Sequence, residues 1–322
     1  MDRHRKPVKA WVFVLVVLLT NLLFAFNYQV GDVEVFLIPV FLTLSIFVGA
    51  GVALVGRLLE SRSINAARLS QGALLILLAL GAGGRGPVVN RSQDWAAHDY
   101  AVAMAKVDYP PESRVVGLEG EMTALLYMQR AEKLGLAATP VTADDPAQRA
   151  QTVDALMGAG YPVFLTREVA GIEEKYSFSG EGPLVRVWPR GQTQPGHPQH
   201  PLDVAMADGV LHLTGYDLET LDQAGGPGLM LALYWRPQQP LSRDYKVSLR
   251  VLDADGQPIV QEDRFPLRHV APTSAWVVDE TVKDVYILDL PDDWADRAVS
   301  LQVILYDAET VEEAGRWTLD LR

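Results

Sequence analysis

The side chains best suited to chemistry follow two predicted buried strands. Residues 114–118 and residues 161–166 are short apolar runs typical of such strands, and each run leads into polar residues. The polar residues concerned are Glu119, Glu121, Thr123 and Arg167. Because ligands of parallel sheets prefer the carboxyl ends of strands, this edge is a candidate site for a sugar or a peptide. The alternative is that Glu121 and Thr123 only begin a helix, while Arg167 is solvated.

Exposed aromatic rings are the second kind of candidate, because they stack on the faces of sugars. Trp276 and Trp294 lie in predicted loops, and we expect their indoles to be accessible for stacking on a glycan. Trp235 and Trp317 lie on the apolar face of alternating strands, and we expect both in the core.

The sequence contains no complete catalytic site. There is no cysteine, which excludes disulfides and thiolate chemistry. His197 and His200 are three residues apart, but a proline lies between them and no third ligand is near. We therefore predict no catalytic residue, no metal and no cofactor.

Three apolar segments near the N-terminus predict a transmembrane region over residues 1–86. The spans are expected at about residues 10–27, 35–56 and 69–84, since about 20 apolar residues are needed to cross a bilayer. The third segment is weaker, so the alternative is two spans plus a re-entrant or interfacial helix. A cleaved signal peptide is disfavoured because no A-x-A site follows the first segment.

Basic residues predict the orientation of these spans. Lys and Arg are frequent before the first span and in the loop between the second and third spans. The only charged residues in the loop at residues 27–34 are the acids Asp32 and Glu34. By the positive-inside rule the N-terminus is cytoplasmic, and three crossings place everything after residue 86 outside. We expect a multi-pass protein of the cell membrane with extracytoplasmic C-terminal domains.

The rest of the chain is acidic. The net charge is −12 overall, but residues 1–70 hold seven Lys/Arg against four Asp/Glu, which leaves −15 for the remainder. Such a body repels nucleic acid, and we exclude nucleic acid as a partner.

Two soluble domains are predicted after the membrane region. Strands and helices alternate through residues 90–188, which indicates a small α/β domain with a mostly parallel sheet. Residues 189–203, rich in Pro, Gly and Gln, are interpreted as a flexible linker. Residues 204–322 alternate apolar and polar side chains, with turn signals such as residues 253–256, and predict an antiparallel β-sandwich.

Two stretches carry a resemblance to a known family. Residues 27–39 (NYQVGDVEVFLIP) open a long span, and residues 115–127 read VVGLEGEMTALLY. Over about residues 10–190, the chain resembles the C-terminal part of bacterial protein O-mannosyltransferase-related enzymes of the GT-C glycosyltransferase superfamily. The predicted β-sandwich resembles modules appended to such enzymes.

The resemblance implies a role beside a polyprenyl-phosphate-sugar-dependent transferase, without catalysis by this chain. Enzymes of that family have many spans and a catalytic acid in a long first outer loop, whereas residues 27–34 form a very short one. In that hypothesis the Asp32/Glu34 loop faces the donor or acceptor, and the partners are the bilayer, a separate many-span transferase half, and a glycan or protein acceptor. The alternative hypothesis is a free-standing, membrane-anchored module that binds a glycan or a protein.

Overall fold

The structure, a computed structural model, describes residues 5–28, 33–60 and 64–322. It divides into two compact units, Met1–Ser92 and Gln93–Arg322, which are described separately. Asp32 lies outside the described residues.

The first unit consists of helices. They are α1 (Arg5–Asn27), the short α2 (Val33–Phe36), α3 (Ile38–Glu60) and α4 (Ile64–Val89). Two of them contain stretches long and apolar enough to cross a membrane, Lys9–Asn27 and Ile38–Leu58. Glu34, which we expected in a connecting loop, belongs to α2.

The third predicted span falls in helix α4, which is not apolar over a length sufficient to cross a membrane. Helix α4 has 26 residues, but its apolar part is limited to Gly72–Arg85, which is shorter than a typical span. The reason is visible in the sequence, since Arg68 and Arg85 bracket this stretch.

The second unit begins with an α/β layer. Its helices are α5 (Ala96–Ala105), α6 (Glu119–Tyr127), which continues into a π-helical turn over Met128–Glu132, and α7 (Pro146–Gly158). Its strands are β1 (Ser113–Gly117), β2 (Ala138–Thr142), β3 (Val163–Leu165), β4 (Tyr176–Glu181) and β5 (Leu184–Pro189). The Asp145 carboxylate caps α7 by accepting from the backbone N–H of Gln148 at 2.8 Å.

The five strands form one mixed sheet in the order β2-β1-β3-β5-β4. Strands β2, β1 and β3 are parallel, as predicted, but β5 and β4 are antiparallel additions. The expectation of a mostly parallel sheet is thus correct for only three strands. Strand β4 was not predicted, because its sequence, YSFSGE, carries serines at positions where apolar residues were sought.

Two four-stranded antiparallel sheets make up the rest of the second unit. One has the order β11-β8-β7-β6 and the other β10-β9-β12-β13. The bounds are β6 His200–Met206, β7 Leu211–Gln223, β8 Gly226–Pro237, β9 Tyr245–Leu252, β10 Pro258–Arg264, β11 Val282–Asp289, β12 Ser300–Asp307 and β13 Glu313–Asp320, with a short helix α8 at Trp294–Arg297.

The two sheets share one hydrophobic core, an arrangement typical of a β-sandwich. Alternate side chains of β8, including Leu231 and Leu233, and of β9, including Val247 and Leu249, are fully buried in it. Trp235 is buried there as predicted, and Trp317 is half-buried against it. The same cluster continues into the α/β layer through residues such as Leu165.

The boundary between the α/β layer and the two sheets, here called the seam, is closed by polar contacts. Buried Glu280 accepts from the Ser177 hydroxyl at 2.7 Å and from the backbone N–H of Thr193 at 2.8 Å. Lys283 and Glu181 form an ion pair of 3.3 Å. Thr193 lies in the segment that we interpreted as a flexible linker, and these bonds fix that part of it to the body.

Candidate functional site

An open cleft of about 840 Å³ lies along the seam. Its α/β side is lined by Ala97, Tyr100, Glu121, Thr166, Arg167 and Glu168. Its other side is lined by Lys246, Asp263, Arg264, Phe265, Arg268 and His269, at the ends of β9 and β10 and in the loop that follows. This surface, the seam cleft, contains the carboxyl ends of β1 and β3 that the sequence singled out.

Glu121 stabilises the α/β side of the cleft through three hydrogen bonds. Its Oε1 accepts from Arg167 Nε at 2.8 Å, and its Oε2 accepts from the Thr166 hydroxyl at 2.5 Å and from the backbone N–H of Leu118 at 3.1 Å. Gly117 permits this packing, because a Cβ there would overlap the Thr166 hydroxyl and lie 2.9 Å from Glu121 Oε2. Glu121 therefore both begins helix α6 and orders the cleft edge.

A buried ion pair supports the opposite side. Arg264 donates from Nη1 to Asp284 Oδ1 at 3.2 Å and from Nη2 to the Val285 carbonyl at 2.6 Å, while its guanidinium lies 3.6 Å from the Tyr286 ring centroid. Burial opposes the charge on Arg264, but its anionic neighbours, Asp284 first, outweigh that effect and raise its pKa. Tyr286 is completely buried, and its pKa is raised by burial and by Asp284.

The loop after β10 contains a left-handed turn. Leu267, Arg268 and His269 have φ values of 52°, 54° and 66°, a conformation that side chains with a Cβ rarely adopt consecutively. The backbone N–H of Leu267 is held by Asp284 Oδ1 at 2.9 Å, and Arg268 Nη1 donates to the Pro183 carbonyl at 3.1 Å. This turn brings Arg268 and His269 to the cleft.

Three side chains of this wall are stacked. Phe265 contacts both Lys246, whose Nζ is 4.7 Å from the ring centroid, and His269, whose ring is stacked on it at 4.3 Å. His269 Nδ1 also lies 3.1 Å from Glu168 Oε2 across the seam. Within the described part of the chain, no carboxylate lies within ion-pairing distance of the Lys246 amine that this stack holds at the cleft.

Tyr100 and Arg268 line both the seam cleft and a smaller pocket of about 320 Å³. Burial and the nearby Glu121 raise the pKa of Tyr100, against the opposing effect of Arg268 and Arg167. The smaller pocket contains Trp95, which is 40% exposed, and Asp99, which accepts from the backbone N–H groups of Ala224 and Gly225 at 3.0 and 2.8 Å.

The structure gathers only some of the residues predicted for a site. Glu121 and Arg167 line the cleft, whereas Glu119 and Thr123 are exposed outside its lining. Trp294 is half-buried against the core.

The expectation that Trp276 is accessible is wrong. It is only 7% exposed, because the loop that contains it folds over the sheets and its indole completes their core. A buried ring face is not available to a sugar.

Sequence reasoning missed the sheet side of the cleft and Trp95. Lys246 belongs to the outward face of an alternating strand, and nothing local marks such a residue as different from a solvated one. The left-handed turn was equally hidden, since no glycine or asparagine occurs at positions 267–269. Within residues 5–28, 33–60 and 64–322, no group of three His, Asp or Glu side chains is arranged as metal ligands.

Comparisons with known proteins give no family. No protein-family model matches the chain, and no curated protein matches it. Among solved structures, a β-glucuronidase of glycoside hydrolase family 2 is 7% identical over 32% of this chain and 10% of its own, with a TM-score of 0.23. A calcium-binding mutant of β-glucuronidase 2 from Bacteroides uniformis is 12% identical over 48% of this chain and 17% of its own, with a TM-score of 0.26. The chain therefore spans less than a fifth of the length of either neighbour.

Proposed function

We propose that this protein is a membrane-anchored recognition module that binds its ligand in the seam cleft on the outer face of the membrane. One observation carries the proposal: the strand-end residues Glu121 and Arg167 border an 840 Å³ cleft whose other wall adds charged and aromatic side chains. Concave sites that combine apolar surface with a few convergent polar groups are the usual place for a small ligand.

The anchoring part of the proposal is supported by the two long apolar stretches in α1 and α3. The outer-face location rests on the distribution of Lys and Arg and requires that α4 also crosses. The ligand is a sugar or a peptide, because carboxylates and cations side by side provide both acceptors and donors.

The test is to screen the full-length chain, in a detergent with no sugar headgroup, against arrays of glycans and peptides. Ala97 is exposed at the cleft, so Ala97→Trp places a bulky indole in it and is expected to abolish binding. The matched control is Ala254→Trp, which places the same ring in an exposed hairpin turn. Binding that survives Ala97→Trp, or no binding at all, would contradict the proposal.

A second candidate function follows from the resemblance to GT-C enzymes. In it the protein is a non-catalytic portion of such a transferase and holds its body near the lipid-linked donor and the acceptor. The observation that favours it is that residues 115–127, which carry the resemblance, form β1 and α6 beside the cleft.

That candidate predicts a stable partner. Purification from native membranes in mild detergent, with a tag after Arg322, is expected to recover a many-span membrane protein in stoichiometric amount. Recovery of the chain alone would exclude this function and leave the free-standing recognition module.

A further inference from the structure

We infer that the seam cleft selects an anionic sugar, one that carries a carboxylate or phosphate group, and that Lys246 and Arg268 bind the anion. This inference rests on the proposed function and specifies the class of its ligand. It is carried by the way in which the charges of the cleft are paired.

Three charged side chains of the cleft are neutralised by neighbours. Glu121 is bonded to Arg167. Arg264 forms ion pairs with Asp284 and with Glu262, whose Oε1 accepts from Arg264 Nε at 2.9 Å. These groups hold the walls together and have little capacity left for a ligand's charge.

Lys246 and Arg268 are different. In the described part of the chain, neither side chain has a carboxylate within ion-pairing distance, although the sequence after residue 70 carries a net charge of −15. Lys246 contacts the Phe265 ring instead. Arg268 donates one N–H to the Pro183 carbonyl and lies 5.8 Å from the Tyr100 ring centroid. Two cations without a counter-charge, in so acidic a body, form a site for an anion.

The position of Arg268 is maintained against backbone strain. Leu267, Arg268 and His269 are consecutive left-handed residues without a glycine, and such strain tends to occur where a side chain must be held for binding. The buried Asp284 fixes this turn through the Leu267 N–H. Arg268 is therefore presented to the cleft before any ligand arrives.

A sugar fits the remaining surface of the cleft. Asp263 and Glu168 are exposed carboxylates that can accept hydrogen bonds from hydroxyl groups, and the Tyr100 ring offers apolar surface between the two pockets. A ligand with hydroxyl groups and one anionic group matches this combination of acceptors and cations.

The experiment is isothermal titration of the full-length chain, in a polyoxyethylene detergent, with glucuronate, glucose 6-phosphate and glucose. We expect at least one anionic probe to bind roughly tenfold or more tightly than glucose, with affinity that falls as salt is added. The stronger of the two anionic probes identifies carboxylate or phosphate as the preferred group.

Variants separate the local site from the general charge of the protein. Lys246→Met with Arg268→Asn is expected to lower the affinity for the anionic probe roughly tenfold or more, and asparagine tolerates the left-handed conformation. Lys106→Met with Arg130→Gln removes the same charge from exposed positions outside the cleft lining and is expected to change nothing. Unchanged thermal unfolding of both double variants confirms that they fold.

Each outcome decides the inference. Equal binding of all three sugars, or anion binding that both double variants retain, overturns the inference but leaves a recognition cleft. If no probe binds while the arrays give a neutral ligand that Ala97→Trp abolishes, the inference fails and the proposed function stands. Absence of binding in both experiments overturns both.

Discussion

Asp284 connects the core of the second unit to the wall of the seam cleft. Only 1% of the residue is exposed, and its Oδ1 accepts both from Arg264 and from the backbone N–H of Leu267. Because Arg264 is itself mostly buried, its charge depends on this carboxylate and on Glu262 for compensation. One buried side chain thus fixes both the arginine beneath the cleft and the turn that carries Arg268.

We expect Asp284→Asn to lower the free energy of unfolding by about 3 kcal/mol, because it removes the buried carboxylate of the pair and leaves Glu262 to compensate the Arg264 charge alone. The measurement is urea unfolding of the full-length chain, followed by tryptophan fluorescence. The control Asp296→Asn changes an exposed aspartate and should alter stability by less than about 0.5 kcal/mol. Equal effects of the two substitutions would show that the ion pair contributes nothing.

At the residue scale, the sequence predicted the parts of the site that depend on local order. Glu121 and Arg167 were found because each follows a buried strand, and parallel strands bring such positions together. Lys246 and Arg268 reach the cleft only through the packing of the sheets against the α/β layer, which no local pattern records. Trp276 was misplaced because a loop assignment says nothing about whether the loop folds inward.

Among the elements, the left-handed turn at residues 267–269 departs most from what its sequence favours. Each of its three residues would be more stable in the right-handed region, so tertiary contacts determine its conformation. The bonds of Leu267 to Asp284 and of Arg268 to Pro183 supply these contacts.

We expect Arg268→Gly to leave the stability unchanged or to raise it by up to about 1 kcal/mol, because glycine removes the strain at a left-handed position. Arg130→Gly, at an exposed position in a helical segment, should instead lower the stability by about 1 kcal/mol. Thermal or urea unfolding of both variants measures the difference. A loss at Arg268 as large as that at Arg130 would mean that the contacts of Arg268 outweigh its strain.

The elements themselves were largely predictable where periodicity was clear. Strand β9 alternates apolar and polar residues, β12 does so in part, and β8 is a run of apolar residues; the sequence located each of them within a few residues. The hairpin of β4 and β5 was not recognised, because β4 has Ser177 and Ser179 where apolar residues would indicate a strand. The hydroxyls of these two serines are hydrogen-bonded to Glu280 and to the Trp188 indole. The antiparallel pairing of β4 with β5 therefore depends on tertiary contacts and not on a local sequence pattern.

At the scale of the whole molecule, ionisable groups define a pH range of stability. Burial opposes ionisation of Asp99, but bonds from His98, Gly225 and Ala224 outweigh it and lower the pKa. The pKa values of Asp154 and Asp307 are also lowered, by Lys175 and by the backbone N–H groups of Thr310 and Glu309 respectively. These groups stabilise the fold above their unfolded pKa of about 3.9, and that contribution disappears as the pH falls through the lower folded values.

Tyrosines set the alkaline limit. Burial raises the pKa of Tyr109, Tyr234 and Tyr286, so their contribution is complete below the unfolded value of about 10 and is lost at higher pH. We expect the melting temperature to fall below about pH 4 and above about pH 10. Asp99→Asn should flatten the acid side, whereas Asp222→Asn, an exposed aspartate of the neighbouring strand β7, should not. If Asp99→Asn leaves the pH profile of the melting temperature unchanged, Asp99 does not contribute to the loss of stability at acid pH.

The side of the membrane on which the second unit lies depends on whether α4 crosses. The positive-inside rule predicts a cytoplasmic N-terminus; two crossings, by α1 and α3, would then return the chain to the cytoplasm, and only a third crossing would place residues 93–322 outside. Since the chain has no cysteine of its own, a single introduced cysteine reports its location without background labelling of the chain. In right-side-out vesicles, we expect a membrane-impermeant maleimide to label Asp255→Cys, at an exposed turn, but to reach Glu60→Cys, at the exposed end of α3, only after permeabilisation. Equal protection of both positions would mean that α4 stays on one side of the membrane, and the cleft could then not face the outside.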